Sequence, residues 1–115
     1  MPSARTRAAR TRRVSFRAAD HLAKTFRQLA DRWRAETRFV SSVEKLSMNP
    51  SYQRIIGMGA PAVPLLLREL KEKPDHWFWA LEAITGANPV PVEDQGDIQK
   101  MAEAWLSWGH QHRYL

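Results

Sequence analysis

From Tyr52 to Gly86 the chain reads YQRIIGMGAPAVPLLLRELKEKPDHWFWALEAITG, and this stretch suits short helices and no sheet. Its apolar residues recur at helical spacing, most clearly Val63, Leu66, Leu67 and Leu70. Nowhere do they alternate with polar residues as a half-buried strand requires. Asn49-Pro50 signs a helix start, with Asn49 as N-cap and Pro50 at the first helical position. That helix is predicted to bury Tyr52, Ile55 and Ile56 and to stop at Gly57, where a positive φ is tolerated. Ala60-Pro61 opens the next helix, and Pro64 still falls in its first turn, where a missing N–H costs little. Pro74 stops it. Asp75 is the expected cap of a further helix from His76 to Thr85, ended by Gly86.

The flanks are helical as well. Leu22, Phe26, Leu29 and Trp33 fall at i, i+4, i+7 and i+11, predicting a long amphipathic helix over Phe16 to Thr37. Arg17, Lys24, Arg27, Arg34 and Arg38 cover much of its remaining surface. Ser41-Ser42-Val43-Glu44 offers a capping box for a short helix, with Ser41 as N-cap and Glu44 at N3. After the rigid Asn88-Pro89-Val90-Pro91 connection, a last helix is expected from Asp97 to about Trp108. Ile98, Met101, Ala102, Trp105 and Trp108 would face inward, Gly109 would close the helix, and HQHRYL would form a short tail. The expected class is all-α.

With 115 residues the chain has room for one domain with a modest core. Its charge is divided. Residues 1–38 hold 11 Lys/Arg against Asp20, Asp31 and Glu36, a net +8, while the remaining residues hold seven bases and nine acids, a net −2. Residues 1–14, MPSARTRAARTRRV, carry five Arg and no acid, and read as a basic flexible tail on a single domain spanning 15–115. The same acid-free composition is shared by transit peptides, whereas the apolar run of a secretory signal is missing. The longest apolar run, Val63 to Leu67, is too short for a bilayer, which needs about 20 residues. A cytoplasmic protein without a membrane partner is expected. The lack of Cys excludes disulfides, a thiolate nucleophile and any Cys-containing zinc site.

Two stretches follow one plan. A helix ends at Gly57, a Pro-bearing turn follows, and a second helix buries Val63 to Leu70; then a helix ends at Gly86, a turn with Pro89 and Pro91 follows, and another buries Ile98 to Trp108. Helix pairs repeating near 40 residues mark HEAT- and armadillo-like arrays. The segment IIGMGAPAVPLLLREL resembles a HEAT-type unit, and WALEAITGANPVP with AWLSWG is similar to the closing unit of some small bacterial HEAT-like proteins. The resemblance covers about residues 50–109 and implies two stacked helix pairs behind a long basic amphipathic helix. It brings no activity with it.

Candidate chemistry is sparse. His110-x-His112 would ligate one metal only from an extended tail, since residues two apart diverge on a helix. Glu69-Leu70-Lys71 spells a nuclease-like pair, but a helix separates its members. Glu93, Asp94 and Asp97 lack the ligand spacing of a calcium loop and suit a helix N-terminus. Gly57-x-Gly59 has neither the strand nor the Lys of a phosphate loop. No catalytic residue, metal ligand or cofactor is expected, and a non-enzymatic role follows. Two surfaces remain. Arg5, Arg7, Arg10, Arg12, Arg13 and Arg17 form an arm suited to DNA, RNA or another acidic partner, meeting phosphates as charge. Trp77 and Trp79 are about 200° apart on a helix, so one buried face cannot hold both: one is expected to pack in the core and the other against a neighbouring helix, a partner or a base, and the pair is the candidate protein-partner surface. The expected role is an interaction or adaptor module. Its rival is an accessory or antitoxin-like subunit whose arm folds onto an acidic protein without binding nucleic acid.

Overall fold

In a computed structural model, the backbone is described from Ala4 to Leu115 and the side chains from Arg17 to Leu115. Six α-helices follow one another: α1 (Ala4–Glu36), α2 (Val43–Met48), α3 (Pro50–Gly57), α4 (Val63–Glu72), α5 (Phe78–Thr85) and α6 (Ile98–Gln111). Single 3-10 turns at Ala60–Ala62 and Val92–Asp94 precede α4 and α6. No strand occurs among the described residues, so the class is all-α.

The helix expected over Phe16 to Thr37 is part of a longer one. The 33 residues of α1 give it a length of about 50 Å at 1.5 Å per residue. The expected tail boundary at residue 14 falls where side chains lie outside the described residues. From Leu22 onward the apolar stripe does what its spacing predicts: Phe26, Leu29, Ala30 and Trp33 are buried. They pack chiefly against α3, which packs in turn on α5, while α4 packs on α6 and α5.

One aromatic cluster binds these helices. Trp77 stacks on Tyr52 with ring centres 5.5 Å apart and planes 9° from parallel. It also meets Trp33 at 4.4 Å and Phe26 at 6.1 Å. Such pairs add about 0.5–1.5 kcal/mol each beyond area burial. Val63, Leu66, Leu67 and Leu70 of α4 complete the core, all at most 1% exposed. Each contributes about 1.5–3 kcal/mol of transfer free energy.

Several boundaries differ from expectation, each for a local reason. Asn49 caps α3 as expected, accepting from Ser51 N at 2.8 Å and Tyr52 N at 3.3 Å. The cap of α2, however, is Ser42, whose side chain accepts from Lys45 N at 3.4 Å. The expected Ser41–Glu44 capping box is thus off by one residue. Gly57 stays helical, and the left-handed step falls at Gly59 (φ 72°). Asp75 accepts from His76 N at 2.8 Å, but α5 begins only at Phe78. Gly86 ends α5 in the left-handed conformation, as predicted.

Gly109 does not close α6. The helix continues to Gln111, and a Cβ on Gly109 would stand 2.7 Å from Leu67 Cδ1, so this glycine serves close packing of α6 on α4. Beyond Gln111 the chain turns back instead of trailing off. Tyr114 N donates to Gly109 O at 2.8 Å and Arg113 N to His110 O at 3.2 Å, the paired bonds of a Schellman motif. Tyr114 then stacks on Trp108 at 5.4 Å.

Candidate functional site

α1 carries two kinds of cation. Arg34 is drawn inward: its Nη2 donates to Glu69 Oε2 at 2.8 Å, its Nε lies 3.7 Å from Asp75 Oδ2, and its guanidinium lies 6.0 Å from the Trp77 ring centre. Arg27, two turns earlier on the same face, also bonds Glu69. These two clamp α1 onto α4 through a carboxylate that is only 8% exposed. The second kind stays in water. Arg17, Arg32 and Arg38 are exposed and have no ion-pair partner among the described residues. Lys24 pairs with Asp20 at 3.3 Å, but both are exposed, so the pair contributes at most about 1 kcal/mol. Of the six arginines assigned to the arm, Arg17 is at the surface; the side chains of Arg5, Arg7, Arg10, Arg12 and Arg13 lie outside the described residues.

The Trp77 and Trp79 pair divides cleanly. Trp77 is 0% exposed and belongs to the core, which removes it from the expected partner surface; Trp79 is 51% exposed. α5 turns Trp79 toward a cleft of about 290 Å³. Val43 and Ser47 of α2 form one wall, Phe78, Trp79 and Glu82 of α5 another, and Ile98 and Met101 of α6 a third. Val43 is also exposed, so apolar surface continues out of the cleft. Tyr52 lies at its floor, but the phenol is already committed: it donates to His76 O and accepts from Ala80 N, both at 2.9 Å. Burial pushes this phenol well above its usual pKa.

A second hollow of about 350 Å³ lies at the end of α1, between Arg34, Arg38, Ser41, Lys73 and Asp75. Its innermost cation, Arg34, is already held by the carboxylates of Glu69 and Asp75.

The remaining candidates have structural partners. Asp97 caps α6, accepting from Lys100 N at 3.1 Å, and Asp94 lies 3.9 Å from Lys100 Nζ. His112 stacks on Trp108 at 4.5 Å and His110 is exposed. Among the described residues, no three His, Asp or Glu side chains gather as a metal ion would need. No helix among them is long and apolar enough to cross a membrane.

Sequence reasoning did not single out the walls of the cleft, since they come from three helices far apart in the chain. Its one legible signal was Trp79 itself. No family model, curated protein or solved structure matches the chain.

Proposed function

We propose that the chain is a non-enzymatic interaction module whose basic helix α1 contacts nucleic acid or another acidic partner. The carrying observation is the separation of cations along α1 and the turn after it: Arg27 and Arg34 serve the fold, while Arg17 and Arg32 of α1 and Arg38 just beyond it are exposed without an ion-pair partner among the described residues. With Arg5, Arg7, Arg10, Arg12 and Arg13 in the same helical segment, α1 holds ten Lys/Arg against three acids, a net +7. An α-helix fits the roughly 12 Å width of a DNA major groove. Arginine on phosphate holds position without reading sequence, so duplexes of unrelated sequence are expected to bind alike. Removing residues 1–14 is expected to abolish most of that binding in a mobility-shift assay. Unchanged binding would refute the proposal.

The packing of α3 on α5 and of α4 on α6 is what stacking of two HEAT-like pairs would give, although within each pair, α3 with α4 and α5 with α6, the helices pack little on one another. In such pairs like helices stack on like. The further assignments, a cytoplasmic site of action and a bacterial origin, rest on composition and motif resemblance.

The Trp79 cleft favours a second reading, in which the chain is an accessory or antitoxin-like subunit of a protein complex. Copurification after nuclease treatment separates the two. A stoichiometric protein that survives nuclease supports the subunit; loss of all bound material supports the nucleic-acid module.

A further inference from the structure

Resting on the reading that a protein docks on this chain, we propose that the Trp79 cleft receives an apolar anchor from a basic helical segment, one with Lys or Arg beside the anchoring side chain. Size argues for an anchor. The cleft's 290 Å³ lies at the bottom of the roughly 300–1,000 Å³ range of small-molecule sites, so one or two bulky side chains fill it. The lining argues for an apolar one: Val43, Phe78, Trp79, Ile98 and Met101 supply most of its surface.

Charge selects the flanking residues. Among the described residues Glu82 is the one carboxylate lining the cleft, no Lys or Arg does so, and His76 is the one basic side chain there. Glu82 follows Trp79 by three residues on the exposed side of α5, where i and i+3 are neighbours. A cation laid over the half-exposed indole is therefore within reach of the carboxylate as well, and gains from both the ring face and the charge. An acidic segment, or a nucleic acid, would bring like charge onto Glu82 and be rejected. The cleft and α1 thus select partners of opposite sign.

The test uses two synthetic amphipathic helical peptides that share one Leu pattern and lack aromatics. One carries Lys at its polar positions and the other Glu. Each is titrated into the full chain while the emission of Trp79, identified by its loss in Trp79→Phe, is followed. Trp33, Trp77 and Trp105 are fully buried and Trp108 is half-buried, so the Trp79 signal is taken as the difference between the emission of the chain and that of Trp79→Phe. The Lys peptide is expected to shift that emission to the blue and saturate. The Glu peptide is expected to leave it unmoved, even where it associates with basic α1. Glu82→Lys should weaken the Lys peptide about tenfold and admit the Glu peptide, with an unchanged far-UV circular dichroism spectrum.

Equal binding of both peptides, no shift with the Lys peptide, or an affinity indifferent to Glu82→Lys overturns the proposal. So does self-association of the chain alone that Glu82→Lys abolishes, since the occupant would then be a second copy. The arm stands or falls separately: removing residues 1–14 acts on duplex binding and leaves the peptide titration unchanged.

Discussion

The hydroxyl of Tyr52 ties α3 to both the entry and the first turn of α5, donating to His76 O and accepting from Ala80 N. Because burial raises its pKa, the folded protein keeps this proton at a pH where the unfolded chain, with an ordinary phenol near pH 10, releases it. The folded state then binds more protons than the unfolded one, so stability falls as pH rises above about 10. Tyr52→Phe is expected to flatten that fall and to cost about 1–2 kcal/mol at neutral pH, since the buried Ala80 N–H and the part-buried His76 carbonyl lose their partner. Urea melts at neutral and alkaline pH check both; an identical alkaline slope in the variant would contradict the assignment.

Glu69 is the residue-scale counterpart on α4, accepting from Arg27 and Arg34. Glu69→Ala is expected to destabilise by about 2 kcal/mol, below the 3–5 typical of a fully buried pair because Arg27 is itself partly in water. A loss under about 0.5 kcal/mol would show that the clamp contributes little. Neither role was visible in the sequence. Asn49 and Gly86 were legible because a cap depends on adjacent residues; Glu69 was not, because its partners lie 42 and 35 residues away.

At the scale of elements, periodicity placed the longer helices, cap and proline signals placed α2 and α3, and the failures lie at ends. The Gly109 error shows why: a glycine near a helix end signals a stop, but here it admits Leu67 of another helix, which local pattern cannot foresee. The true stop of α6 uses Arg113 at φ 62°, a left-handed position that glycine occupies without strain. Arg113→Gly is therefore expected to stabilise the protein by about 0.5–1 kcal/mol, raising Tm by several degrees. A lower Tm would mean that the Arg113 side chain contributes more than its backbone strain costs. α1 illustrates the opposite case. Its apolar stripe was plain in the sequence, and the structure adds that Trp33, through Nε1 to Leu46 O at 2.8 Å, also fixes the short α2.

Over the whole molecule, the charge division was legible from composition, whereas the cleft required three helices to be brought together. In the proposed reading the protein works through two faces of different chemistry, the Arg-rich helix α1 and an apolar cleft edged by Glu82. The central claim is that the rod works through phosphate charge, and the salt dependence of duplex binding tests it most directly. Six arginines on phosphates release about five counterions, so the affinity of the full chain for duplex DNA should fall with a log–log salt slope of about −5. A chain lacking residues 1–14 keeps Arg17 of the six together with the exposed Arg32 and Arg38, so its slope should be no steeper than about −3. A full-chain slope shallower than about −2, or the same slope after truncation, would contradict the account.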